Sequence, residues 1–203
     1  MVAVRASGFD VFVASIKPPA RHSVGGFCFM NLNLQSNDFE IFGIAPGFAV
    51  DRAALDARWK DLQREAHPDR FATADAQAQR QAMQWSVRIN EAYQRLKDPL
   101  KRAAYLCELN GAPIEAENNT AMPPAFLMQQ MEWREALDDA QTAQDLERMA
   151  DEVAAARAAM LKALQTTADV DRDFQALSGQ VRALMFVERF ARDVENRLDQ
   201  HGQ

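Results

Sequence analysis

The chain has 203 residues, 48% of them hydrophobic and 26% charged, with a formal net charge of −6. That is enough for one large domain or two small ones of ordinary globular composition, and no apolar run approaches the roughly 20 residues of a membrane-spanning helix. Residues 1–36 carry a net charge of +2, residues 37–112 balance 11 basic against 11 acidic residues, and residues 113–203 hold 9 basic against 17 acidic; so acidic a second half speaks against a nucleic-acid partner, which needs a basic surface.

Residues 1–36 contain Pro18-Pro19 and Gly25-Gly26 and show no sustained period of 2 or 3.6. Asp10 and Lys17 interrupt the apolar stretch that a signal peptide would need. The stretch reads as a disordered tail or a mis-assigned start, with Met30 as the alternative initiator. The two cysteines, Cys28 and Cys107, form no C-x-x-C pair and no disulfide framework, which fits a reducing compartment and a cytoplasmic protein. Cys107 shares a helical stripe with Leu100, Ala103 and Ala104, as a small buried hydrophobe would.

From residue 37 onward the pattern is helical, rich in Ala, Gln, Glu, Leu and Arg. A short helix near 37–43 is stopped by Gly43 and by Pro46-Gly47. Asp51 is placed to cap a second helix, whose Leu55, Trp59, Leu62 and Ala66 step by 4, 3 and 4 along one face. His67-Pro68 ends it, because the residue before a proline avoids the α region. A third helix is expected from about Asp75 to Lys97, turning Ala82, Trp85, Ile89, Ala92 or Tyr93, and Leu96 inward. Asp98-Pro99 then starts a fourth, closed by Gly111. The two long helices joined by a short loop should pack antiparallel.

Residues 112–123, with Pro113, Asn118-Asn119 and Pro123, read as a linker. Three helices follow, near 124–140, 143–165 and 170–199, and predict a three-helix bundle over 124–200. The second carries the stripe Leu146, Met149, Val153, Ala156, Met160, Leu164; the third carries Leu177, Val181, Leu184, Val187, Ala191, Val194, Leu198.

Two places carry candidate function. The first is His67-Pro68-Asp69, between two amphipathic helices. Proline stiffens the turn, so Asp69 becomes an acceptor on a rigid exposed loop, suited to an arginine of a partner. His67, at the end of its helix, is placed to bond nearby backbone carbonyls. Lys60 and Arg64 lie at i and i+4, with Gln63 and His67 continuing that face, and bring positive charge alongside the loop. Such charge speeds encounter with an acidic partner more than it tightens binding.

The second is the helix 124–140, which is apolar on two sides. Phe126, Trp133, Leu137 and Ala140 make one stripe, assigned to the core; Leu127, Met128 and Met131 lie on another side. A three-helix bundle encloses no helix fully, so the second side reads as a binding surface, adaptable through its methionines. Glu132 and Glu135 edge it, Asp139 extends it, and Phe186, about 200° around its helix from Leu184, is a second contributor. Among the three histidines only His67 lies in the folded part, and there is no H-E-x-x-H, Cys/His cluster or glycine-rich phosphate loop. No enzyme, metal or cofactor site is expected.

Phe39-x-x-Phe42-Gly43-Ile44, His67-Pro68-Asp69-Arg70-Phe71, Ile89-Asn90-x-Ala92-Tyr93 and Leu96-x-Asp98-Pro99 make residues 37–111 resemble a J-domain, the module that stimulates ATP hydrolysis by DnaK-type chaperones. With Pro99-Leu100-x-Arg102-Ala103-x-Tyr105-Leu106 and the run Phe126-Leu127-Met128-Gln129-Gln130-Met131-Glu132-Trp133-Arg134-Glu135, the chain from 37 onward is similar to the HscB family, J-type co-chaperones of iron–sulfur cluster assembly. Met131 stands where the family usually has leucine. The resemblance implies an all-α protein in which Lys60, Arg64, His67, Pro68 and Asp69 face the chaperone HscA. It implies that Leu127, Met128, Met131, Glu132, Glu135 and Phe186 bind the scaffold protein IscU. Asp56, Asp61 and Glu65 leave the second helix only mildly basic, a departure from many general J-domains that suits a dedicated partner. A general J-domain co-chaperone for other clients is the main alternative, although glycine-rich and zinc-binding segments are absent. A J-like module without ATPase coupling, and an enzyme using His67 as base, are weaker ones.

Overall fold

In a computed structural model the described residues are 32–115 and 122–201. They are all-α, with no strand among them. The expected tail or alternative start therefore lies outside the described residues except for 32–36, where the Ser36 amide closes a turn onto the Asn33 carbonyl at 3.0 Å. Residues 116–121 of the expected linker also lie outside. Contacts divide the chain into two compact units, one holding Ala53–Ala92 with the described residues up to Ala45, the other holding Pro46–Arg52 and Tyr93 onward.

In the first unit, α1 (Asp38–Phe42) is only five residues long and depends on its ends. Asn37 accepts from the Glu40 amide at 2.9 Å while the Glu40 carboxylate accepts from the Asn37 amide at 3.0 Å, a reciprocal cap. Gly43 ends the helix at φ 66°, a left-handed conformation that costs glycine little. The carboxylate of Asp38, fully buried, pairs with Arg88 at 2.7 Å. Then come α2 (Arg52–Glu65) and α3 (Ala76–Lys97), joined through a 3₁₀ turn at Pro68–Phe71. Leu55, Leu62 and Ala66 of the α2 stripe are buried, as are Ala82, Trp85, Ile89 and Ala92 of α3. Trp59 is half-buried, its indole donating to Asn90 at 2.9 Å. Gln63 donates to the Ser86 carbonyl at 3.1 Å and accepts from the Ser86 hydroxyl at 3.1 Å. Rising numbers on α2 thus meet falling numbers on α3, which is the expected antiparallel hairpin.

The second unit contains the end of α3, then α4 (Pro99–Leu109), α5 (Pro124–Asp139), α6 (Ala143–Gln165) and α7 (Phe174–His201). Asp98 caps α4, accepting from the amides of Leu100 and Lys101. Trp133 of α5 stacks on Phe190 of α7 at 5.4 Å and donates to Glu152 of α6 at 2.8 Å. Arg157 of α6 pairs with Glu188 of α7 at 2.6 Å. The expected three-helix bundle is present, and α4 joins it by packing on α7. The reason is visible on α4 itself: Arg102, Ala103, Tyr105, Leu106 and Cys107 are all buried, an arc wider than half the cylinder, so the helix is covered on more than one side. The Cys107 thiol donates weakly to the Phe174 carbonyl at 3.8 Å, and burial pushes its pKa up to about 11.

One expectation needs correcting. The last helix starts at Phe174 rather than near 170, because α6 runs on into a π-helical turn, Thr166–Asp171, that ends at Arg172 with φ 55°. A left-handed arginine leaves no glycine or proline signal in the sequence.

Candidate functional site: an exposed anionic turn and an apolar helix face

α2 stops at Glu65, and His67 becomes the N-cap of the following 3₁₀ turn, with Pro68 in its first position. The Asp69 side chain is 89% exposed, a carboxylate on a turn stiffened by proline and by the Arg70 amide donating to the His67 carbonyl at 3.0 Å. Expected to bond backbone carbonyls, His67 instead accepts at Nδ1 from the Asp69 amide at 3.3 Å. It cannot serve the end of α2 because it already opens the next turn. The same nitrogen is 3.5 Å from the Asp69 carboxylate.

Lys60 and Arg64 are exposed on α2. Arg64 pairs with Asp61 at 3.1 Å, with both side chains more than half exposed, so the pair contributes at most about 1 kcal/mol and leaves the guanidinium available. Gln63 turns toward Ser86 and does not share the outer face.

On α5 the two expected sides separate as their 100° steps require. Trp133 and Ala140 are buried and Leu137 is half-buried. Leu127 is 45% exposed, Met128 62% and Met131 62%, and Glu132 and Glu135 are exposed beside them. Phe126, assigned to the core from its spacing, is only half-buried and meets Phe186 edge-on at 6.5 Å. The cause is its place in the first turn of α5, where fewer neighbours cover it. Arg134 lays its guanidinium over the Phe186 ring at 5.6 Å. Seven residues after Leu127, Arg134 falls within about 20° of it on the helix. Phe186, Arg134, Leu127, Met131 and Met128 are therefore successive positions around one flank. Phe126 and Arg134 thus both lie against Phe186, a placement the sequence reading did not give; the i, i+7 spacing from Leu127 would have placed the arginine on this flank.

A helical hairpin with an exposed His-Pro-Asp turn, in one chain with a helix bundle that leaves an apolar face open, has the architecture of a J-type co-chaperone. Residues 122–195 match a family described as the HSCB C-terminal oligomerisation domain. The chain is 48% identical over 171 residues to the co-chaperone protein HscB homolog of Burkholderia multivorans, covering 83% of this chain and 97% of that one. It is similar to the structure of the chaperone HscB from Vibrio cholerae, with a TM-score of 0.71 and 36% identity over 82% of this chain and 99% of that one. The human co-chaperone protein HscB shares the fold, with a TM-score of 0.78 at 24% identity over 89% of this chain and 93% of that one. The chain belongs to the HscB co-chaperone family.

Proposed function

We propose that this protein is a two-site adaptor in the cytoplasm that stimulates the ATPase of a DnaK-type chaperone, HscA, and delivers to it the iron–sulfur scaffold protein IscU. In this reading residues 37–111 act as the J-domain, 112–123 as linker and 124–200 as the scaffold-binding domain. Hydrolysis is the chaperone's chemistry; this chain contributes binding and is no enzyme. The observation that carries the proposal is the pairing, in one chain, of an 89% exposed Asp69 on a stiff turn with an uncovered face of Leu127, Met128 and Met131. Lys60 and Arg64, with His67 and Pro68, form the chaperone side with Asp69. Glu132, Glu135 and Phe186 complete the scaffold side. Holding both partners at once raises the local concentration of scaffold at the chaperone.

Substitution separates the two activities. Asp69→Ala should lose stimulation of the partner ATPase and keep scaffold binding, and Leu127→Ala with Phe186→Ala should do the reverse. Full stimulation by Asp69→Ala sinks the reading. The matched family description names oligomerisation for 122–195, which favours a second reading in which the α5 face meets another copy of this chain. Light scattering decides it: under that reading Leu127→Ala with Met131→Ala converts an oligomer to a monomer.

A further inference from the structure

We infer that Gln130 is a specificity-determining residue of the α5 face: its buried side-chain amide donates to a main-chain carbonyl of the docked scaffold protein. The inference rests on the reading of that face as the scaffold-binding surface.

Gln130 lies three residues after Leu127 and three before Trp133, so it stands about 60° from each around the helix, at the seam between the open flank and the core stripe. It is only 8% exposed. Its amide nitrogen is buried and meets no acceptor among the described residues. Trp133, one turn on, is satisfied, its indole nitrogen donating to Glu152 at 2.8 Å. Gln63, the half-buried glutamine of α2, both donates and accepts at Ser86. A buried donor without an acceptor costs stability, so its presence calls for a reason.

The surroundings supply one. Gln130 lines a cavity of about 10 Å³ with Trp133, Arg134, Phe186, Val187 and Phe190, room for one small polar group. Two side chains of this lining reach the surface. The Phe186 ring is half-buried, edge-on to Phe126 at 6.5 Å, and the exposed Arg134 places its guanidinium over that ring at 5.6 Å. Phe186 and Arg134 also border a groove of about 200 Å³ between α5 and α7, where Leu137 and Phe190 add apolar surface. The ring therefore has apolar space to move into, and moving it uncovers the Gln130 amide beside Leu127. All of these residues belong to the second unit.

The chemistry of the acceptor follows from charge. Arg134 and Arg189 on the groove are balanced by Asp138 and Asp193, so the site has no net charge to select an ion. A neutral acceptor flanked by apolar side chains suits it, and a peptide carbonyl is that group. A site built around an unpaired donor also rejects partners that bring no acceptor, which makes the residue a source of specificity.

The test uses the full chain as Gln130→Met, which keeps an unbranched side chain of similar volume and removes the donor. Its denaturant midpoint should equal or exceed that of wild type, because an unpaired buried group is gone. Its affinity for IscU, measured by calorimetry, should fall about tenfold or more, because the scaffold carbonyl is then buried without a donor. A fall in both would mark a packing role and overturn the inference. In ¹⁵N-labelled wild type the Gln130 side-chain amide resonances, identified by their loss in Gln130→Met, should move downfield and exchange more slowly with saturating IscU. Gln130→Leu carries the comparison if Gln130→Met loses helical signal. An affinity within about twofold of wild type in a folded variant overturns the inference, and so do amide resonances that IscU leaves unmoved. Failure of the underlying reading looks different: there Leu127→Ala with Phe186→Ala itself binds IscU at wild-type affinity.

Discussion

The turn at His67–Asp69 offers a partner one carboxylate held by a proline and two backbone bonds, whereas the α5 face offers three apolar side chains spread over more than a helical turn. In the proposed reading the first is a point contact that depends on the placement of a few atoms. The second is an area contact, tolerant of exchange among large apolar residues. Damage to the turn should therefore be nearly all-or-none, and damage to the face graded.

The largest expected effect tests what the turn stands on. Arg88→Ala removes the arginine paired with the fully buried Asp38 carboxylate, which should cost the first unit about 3–5 kcal/mol. Denaturant unfolding followed by the helical signal measures it, and a loss under about 1 kcal/mol would mean the ion pair is dispensable. Next comes the face: Leu127→Ala and Met131→Ala should each cost about 1–2 kcal/mol of scaffold binding, roughly tenfold in affinity per residue, measured by calorimetry. A single substitution abolishing binding would show a point contact there too. Smaller still, Lys60→Ala with Arg64→Ala should slow association with the chaperone a few-fold at low salt and little at high salt, leaving dissociation unchanged. Stopped-flow association at two ionic strengths separates the rates.

A last effect, confined to alkaline pH, concerns Cys107 and neither surface. Its pKa is raised by burial from an ordinary value of 9.0 to about 11, so the folded state keeps a proton that the unfolded state releases. Its contribution to stability is intact below about pH 9 and lost as pH rises toward 11. Cys107→Ala should flatten that part of the stability curve in pH-dependent unfolding.

Most of this architecture could be read from residues because local signals agreed with packing. Leu55, Leu62 and Ala66 step at helical spacing and are buried; Asp98-Pro99 breaks one helix and caps the next. The exposure of Asp69 followed from a proline turn between amphipathic helices. What escaped the sequence in the two buried braces was long-range bonding without local trace. Nothing in the run from Thr166 to Arg172 announces a π-helical turn, since its stabilising bonds run to Phe48, Ala49 and Gln180. Arg102 is a buried cation satisfied by carbonyls of Phe48 and Leu96, one of them 54 residues away. Phe126 fits a core stripe by angle, and only its position at a helix start leaves it half-exposed beside Phe186.

The most direct measurement is a titration of chaperone ATPase with wild-type and Asp69→Ala protein, with scaffold affinity determined on the same samples. Losing one member of a buried charge contact at the partner corresponds to about 2–5 kcal/mol, so stimulation should fall by roughly thirtyfold or more while scaffold affinity stays within about twofold. Undiminished stimulation, or a scaffold affinity that falls alongside it, would contradict the account.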